Sequence, residues 1–223
     1  MNLFGTFDTM KAYSINLKER VDRMEHTKNE FSKFPEFKLN MIEAKKNTCG
    51  AIGLWDTIQL IVKDHSRLKE SDFLIICEDD HVFTQFYSHK LLLKSIETAN
   101  NYKADILLGG VSWTDMAVKV SQNMYWIKNF SGLQFLIIFK RFFQKILDVK
   151  DFNSRDTADK KMCELSENKF VIAPFISIQK EFGYSDATVL NNVDGRVSYL
   201  FERTSKTFDV LEKVNNYFNQ FEI

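Results

Sequence analysis

Hydrophobic and polar positions alternate between two kinds of pattern up to about residue 113. Apolar runs without alternation are typical of buried strands, and apolar residues spaced by three and four are typical of helices. The first pattern predicts strands at 12–17, 37–44, 72–80 and 104–113. The second predicts helices at 20–34, from about Gly53 to Leu68, and at 88–102. Strands and helices in alternation predict an α/β fold with a mostly parallel central sheet flanked by helices.

The second half of the chain is less regular. Its pattern predicts two strands within 124–139, helices at 140–150 and 157–167, and a strand through Pro174 at 169–179. The amphipathic stretch 210–221 predicts a helix. Its polar face is not strongly basic, so docking on the domain is favoured over peripheral membrane contact.

Composition narrows the class of protein. The 223 residues carry 30 Lys and Arg against 30 Asp and Glu, so no overall field attracts nucleic acid, and we predict no nucleic-acid partner. Three cysteines are too few and too scattered for a disulfide framework or a zinc site. No apolar run approaches the ~20 residues of a membrane span. We expect one domain in a reduced, cytoplasmic setting.

Three consecutive acids end the predicted strand "FLIICEDD". Ligands of open α/β sheets bind beyond the carboxyl ends of the strands. In extended backbone Glu78 and Asp80 would face one site while Asp79 turns aside. Two carboxylates suit Mg²⁺ or Mn²⁺, which complete their shell with water and phosphate. The alternative is that the acids cap the following helix.

Four segments in order resemble glycosyltransferase family 25, the lipooligosaccharide and collagen-type sugar transferases. They are "INLKERVDR", "GAIGLWDTIQLIV", "FLIICEDDHVF" and "APFISIQKEFGYSD". The resemblance covers about residues 11–186. It departs from the family at Thr57 and Ile58, where relatives have Ser-His.

The resemblance implies a GT-A-like fold, a nucleotide-sugar donor, typically a UDP-sugar, and a divalent cation. It implies a nucleotide-sugar half at about 11–115, an acceptor half at about 116–190 and a C-terminal helical tail at about 191–223. The acceptor would be a glycan or glycolipid, such as a surface lipooligosaccharide or polysaccharide, and the enzyme could work at the inner face of the membrane.

Residue roles follow from the same resemblance. Asp80 would hold the metal, with Glu78 as the second ligand, and Asp79 would touch the ribose or order the loop. Residues that would contact the donor or line the site are Asn16, Arg20, Arg23, Ala44, Gly53, Gln179 and Asp186. For Arg20 and Arg23 the alternative is a solvated helix face.

An inverting transferase needs a carboxylate that takes the proton of the acceptor hydroxyl. "RDTADKKM" offers Asp159, which matches a family aspartate, with Asp156 behind it. A capping box or an Asp–Lys helix pair is the alternative for both. Trp113 could stack on a sugar or belong to the core.

A rival class is a non-catalytic nucleotide- or carbohydrate-binding protein of the same fold, which the change at Thr57 and Ile58 would permit. A magnesium-dependent phosphohydrolase would need more acids at several strand ends, and the sequence does not show them.

Overall fold

The computed structural model describes residues 9–68, 72–184 and 193–221. The main sheet has eight strands. Its strands in chain order are β1 (Met10–Asn16), β2 (Phe37–Glu43), β3 (Phe73–Glu78), β5 (Ile106–Leu108), β7 (Ala117–Ser121), β8 (Met124–Ile127), β10 (Phe135–Phe139) and β11 (Lys169–Ile172). Two small sheets pair β4 (His81–Phe83) with β12 (Ser177–Gln179), and β6 (Trp113–Thr114) with β9 (Phe130–Ser131).

Six helices flank these sheets in the described ranges. They are α1 (Val21–Ser32), α2 (Gly50–Leu68), α3 (His89–Asn101), α4 (Lys140–Asp148), α5 (Ala158–Leu165) and α6 (Arg196–Phe218), the last followed by a 3₁₀ turn at Asn219–Phe221. Helices α2 and α4 pack together, and buried residues of α1, α2 and α3 face the sheet from two hydrophobic clusters. The predicted α/β class, with a mostly parallel central sheet flanked by helices, is confirmed.

The strand order of the main sheet is β2-β1-β3-β10-β5-β11-β8-β7. The pairs β1–β2, β1–β3 and β5–β11 are parallel. Strand β10 lies antiparallel between β3 and β5, and β8 lies antiparallel between β11 and β7. The common direction of the other strands brings the ends of β1, β2, β3 and β5 to one edge. The sheet is thus mixed at β10 and β8 rather than parallel throughout.

Several predicted elements shift. Helix α2 begins at Gly50, three residues before the expected Gly53. The strand predicted through Pro174 is wrong as a single strand, because β11 ends at Ile172 and β12 belongs to another sheet. The chain changes sheets at Ala173–Pro174, since Pro174 has no N–H for a continuing ladder.

Gly109 and Gly110 end β5 where another backbone crosses close by. A Cβ on Gly110 would collide with the carbonyl oxygen of Ser177, and one on Gly109 would press on Phe135. The backbone N–H groups of Ile176 and Ser177 both donate to the Gly109 carbonyl. The two glycines therefore let β12 lie directly over the end of β5.

The tail forms the long helix α6, and its first half is docked on the domain. Val197, Phe201, Thr204 and Phe208 are buried. Thr204 Oγ1 donates to the Ser112 carbonyl at 2.8 Å. Among the described residues, no helix combines the length and apolar character needed to span a bilayer.

Candidate functional site

A pocket of about 440 Å³ opens where β1, β2 and β3 end, and we call it the first pocket. Its walls come from these strand ends, the start of α1, the loop after β2 and the start of α2. Its lining includes Arg20, Arg23, Ala44, Lys45, Leu54, Glu78, Asp79 and Asp80. Six of the ten residues that the sequence assigned to the donor or the metal therefore surround one cavity, as expected for the carboxyl edge of such a sheet.

The acidic triplet does not continue β3 as extended backbone. Strand β3 ends at Glu78, and Asp79 and Asp80 form a tight turn into β4. The expected alternation of side chains therefore does not apply, and all three acids border the first pocket.

Asp79 is held by an internal ion pair. Arg23 Nη1 donates to Asp79 Oδ1 at 2.8 Å, and Asn16 Nδ2 donates to Asp79 Oδ2 at 3.0 Å. Arg23 is only 5% exposed and Asp79 only 7%. Arg23 Nη2 also donates to the Tyr184 carbonyl at 2.7 Å. Arg23 and Asn16 thus hold the acidic turn in place. The main contacts of Arg23 are with the protein itself, which differs from both sequence-based alternatives, a donor contact and a solvated helix face.

Asp80 presents one oxygen without a hydrogen-bond partner in the described part of the chain. Its Oδ2 lies 3.5 Å from Arg23 Nη1, while its Oδ1 is buried and unpaired. Burial and repulsion by Asp79 raise the pKa of Asp80 to about 7. An orphaned, buried carboxylate oxygen at a pocket wall is a group that a cation would stabilise.

Glu78 is the second acid of this candidate site. Burial, with added repulsion from Asp80, raises its pKa well above the usual range. Gln179 Nε2 donates to Glu78 Oε2 at 3.1 Å. No cluster of three or more His, Cys, Asp or Glu forms a metal site in the described ranges, but Mg²⁺ and Mn²⁺ often bind through one or two carboxylates plus phosphate oxygens. The pair Glu78 and Asp80 fits that pattern.

The loop after β2 forms the opposite wall of the first pocket. The Lys45 backbone N–H donates to Thr57 Oγ1 at 2.8 Å, and Thr57 Oγ1 donates to the Gly53 carbonyl at 2.7 Å. A Cβ on Gly53 would collide with the Lys45 carbonyl, so Gly53 serves close packing of this loop on α2. Gly53 does not line the pocket, whereas Ala44 does. Thr57 holds this wall in place through both hydrogen bonds.

Arg20 is a half-buried residue in the lining of the first pocket. Its guanidinium carbon is 4.6 Å from the centre of the Tyr184 ring. The guanidinium carbon of Arg23 is 4.8 Å from the centre of the same ring. The Tyr184 hydroxyl contacts Asp22 in the first turn of α1. The segment before residue 185 is therefore fastened across the start of α1. Asp186, and Ser185 beside it, lie outside the described residues.

A second pocket of about 380 Å³ adjoins the first, and Leu54 and Glu78 line both. Its other walls come from β6, β9, the start of α5, β12 and the start of α6. Its lining includes Trp113, Asp159, Gln179 and Arg196. Two cavities with a common wall at the acidic strand end can hold two substrates side by side.

Asp159 and Asp156 differ in position. Asp159 lines the second pocket and accepts hydrogen bonds from the Thr157 hydroxyl and the Lys160 N–H, which is 2.9 Å away. Asp156 lines neither pocket. It accepts from the backbone and side chain of Asn153 and lies 3.8 Å from Lys161 Nζ. Asp156 therefore has the contacts of a residue that stabilises the turn before α5.

The sequence predicts no role for two pocket residues, Leu54 and Arg196, and leaves Trp113 between a sugar contact and the core. Trp113 is 47% exposed at the second pocket, so it is not a core residue. Leu54 and Arg196 had no distinguishing motif, because an apolar residue on a helix and a lone arginine are common everywhere. Only the packing of α2 and α6 brings them to the site.

Comparisons with known proteins give low similarities. No family model matches the sequence, and no curated protein matches it. A197 from STIV has a TM-score of 0.49 at 11% identity, covering 80% of this chain and 87% of that one. UDP-glucose pyrophosphorylase complexed with UDP-glucose has a TM-score of 0.46 at 9% identity, covering 85% and 80%. A glycosyltransferase involved in glycosylation of the major capsid of PBCV-1 has 0.40 at 10% identity, covering 86% and 98%.

Similarities of this size carry no functional argument for the present chain. Membership of glycosyltransferase family 25 stays a prediction.

Proposed function

We propose that this chain is a metal-dependent glycosyltransferase that moves a sugar from a nucleotide-sugar donor, a UDP-sugar, to a glycan acceptor. The observation that carries the proposal is the common wall of the two pockets at Glu78 and Leu54. A transferase must hold donor and acceptor next to each other so that one attacks the other directly. The first pocket is the donor site in this proposal, and the second is the acceptor site.

The donor would lie among the strand ends of the first pocket. Arg20 and the Lys45 side of the wall would face its phosphates, since a guanidinium matches phosphate oxygens well. Glu78 and Asp80 would hold Mg²⁺ or Mn²⁺. When bound, such a cation supplies charge stabilisation for a departing nucleoside diphosphate. Arg23 and Asn16 would act indirectly, because they hold the turn that carries Asp80.

The acceptor would enter the second pocket with its hydroxyl towards Asp159. That carboxylate would take the hydroxyl proton during attack on the anomeric carbon, as an inverting mechanism requires. The exposed face of Trp113 would pack on the apolar face of a sugar ring. The family resemblance adds a lipooligosaccharide or polysaccharide acceptor and a cytoplasmic position near the membrane, and these are parts of the proposal.

A panel of nucleotide sugars in thermal-shift assays, with Mn²⁺ and with a chelator, tests the proposal. A ligand at 100 times its dissociation constant adds about 2.7 kcal/mol to stability. We expect a UDP-sugar to stabilise the protein with Mn²⁺ and to be slowly hydrolysed. Asp64→Asn, which removes an exposed carboxylate of α2, is a matched control for Asp80→Asn.

The results separate the function classes. Stabilisation without hydrolysis or transfer would favour the non-catalytic binding protein. If no nucleotide sugar stabilises the chain with Mn²⁺, the assignment of the first pocket is wrong.

A further inference from the structure

Arg196 gives the second pocket a positive group that the proposed reaction does not use. It is the only basic residue among the described residues that line this pocket, where the other charged groups are Glu78 and Asp159. No carboxylate of the described residues forms an ion pair with its guanidinium. Arginine in such a position is available to a ligand.

The backbone around Arg196 is fixed and already satisfied. Glu181 Oε2 accepts from the Gly195 N–H at 2.7 Å, and Glu181 Oε1 accepts from the Ser198 N–H at 2.8 Å. The free N–H groups at the start of α6 are therefore not the binding element. Buried Val197 and Phe201 anchor the same turn. Any anion held here would be held by the Arg196 side chain, presented from a rigid helix.

Charge is divided within the pocket. The Asp159 carboxylate repels an anionic group, whereas Arg196 attracts it and can form a forked pair with a carboxylate or phosphate. A ligand with both an acidic group and a free hydroxyl would therefore bind in one orientation, with the hydroxyl towards the acids. The cavity of about 380 Å³ is large enough for a small ligand, and Trp113 offers an aromatic surface.

We propose that the acceptor of the second pocket is an acidic sugar, whose carboxylate or phosphate is bound by Arg196. The inference rests on the proposed function and deepens it by naming the substrate class. It makes Arg196 a specificity-determining residue with no part in the donor site.

The test is binding of three methyl glycosides to the full-length protein by ligand-observed NMR titration. Methyl glucoside, methyl glucuronide and methyl glucoside 6-phosphate share a ring and differ in charge, and the two anionic probes distinguish carboxylate from phosphate. We expect the wild type to bind at least one anionic probe about tenfold more tightly than the neutral one. Arg196→Gln should lose about tenfold for that probe and keep the neutral affinity.

Arg203→Gln is the matched control, because Arg203 is exposed on α6 and lines neither pocket. The proposal is overturned if neither anionic probe binds better than methyl glucoside, if none binds, or if Arg196→Gln weakens charged and neutral probes equally. Binding of UDP with Mn²⁺ is measured on the same samples. Normal UDP binding with failed acid selection refutes only the acidic acceptor, whereas absent UDP binding refutes the donor site.

Discussion

Arg23 Nη1 lies 2.8 Å from Asp79 Oδ1, and both side chains are buried in the wall of the first pocket. The pair links α1 to the turn that carries Asp80. Desolvation opposes the charge of Arg23, but the attraction of Asp79 and Asp80 outweighs it and raises the pKa of the guanidinium. Arg23 thus neutralises Asp79 within the protein, whereas Asp80 keeps an unpaired oxygen at the pocket wall among the described residues.

We predict that Arg23→Ala lowers the free energy of unfolding by about 3–5 kcal/mol, because it leaves Asp79 buried without its cation. Urea denaturation measures the change. Arg20→Ala, in the lining of the same pocket, should cost less stability than Arg23→Ala, because Arg20 is not the cation of Asp79, and should weaken nucleotide binding by about 1–3 kcal/mol. If Arg23→Ala is as stable as the wild type, the ion pair has no structural role. If Arg20→Ala binds nucleotide normally, Arg20 does not contact the donor.

We predict that Asp80→Asn abolishes the Mn²⁺ dependence of UDP binding while the protein stays folded. The amide keeps the shape of the side chain but removes the charge that a hard cation requires. Calorimetric titration of UDP with and without Mn²⁺ measures the effect. Mn²⁺-dependent binding equal to that of wild type and of Asp64→Asn would remove Asp80 from the metal site.

We predict that Asp159→Asn lowers sugar transfer by at least ~10²-fold while donor affinity stays the same. A general base acts only as the acceptor attacks, so its loss affects turnover rather than donor binding. Single-turnover transfer and UDP titration measure the two quantities. Asp156→Asn, which lines neither pocket, should transfer normally. The opposite result would move the base to Asp156, and normal transfer by both variants would make Asp186 the next candidate.

We predict that His81 makes stability fall as the pH drops below about 6.5. Burial lowers its pKa to about 3, and Nε2 has no hydrogen-bond partner among the described residues. Between these values the unfolded chain takes up a proton that the folded chain does not, which costs about 1.4 kcal/mol per pH unit. The stability that neutral His81 contributes is therefore fully present above pH 6.5 and is lost as the pH falls towards 3.

Urea denaturation at pH 7 and pH 5 tests this, with His81→Gln as the variant that cannot titrate. Asp80 and Glu78, with their raised pKa values, contribute in the opposite sense. Both proteins are therefore compared in the Asp80→Asn background, where the contribution of Glu78 is common to the two. The free energy of unfolding at pH 5, relative to that at pH 7, should be higher in His81→Gln than in the protein that keeps His81. An equal change in the free energy of unfolding between the two pH values in both proteins would show that His81 does not contribute to the pH dependence of stability.

The sequence predicted the first half of the fold well, since β1, β2, β3 and α1 to α3 arise from local patterns. It also placed Arg20, Ala44 and Asp80 at one edge, because parallel strands end together. The role of Arg23 was not predictable, since a charged residue on a helix gives no sign that it will be buried beside Asp79. Leu54 and Arg196 reach the site through long-range packing of α2 and α6, which single-sequence patterns do not encode.

Gly110 lines neither pocket, yet it sets how closely β12 can approach the end of β5. Strand β12 crosses it without any space for a side chain, and the same strand carries Gln179 to Glu78. In a survey of random variants, position 110 would therefore behave like an active-site position. A side chain at position 110 would push β12 away and so displace Gln179 from Glu78. A second substitution among the pocket residues could not compensate, because the backbone of β12 itself would have moved.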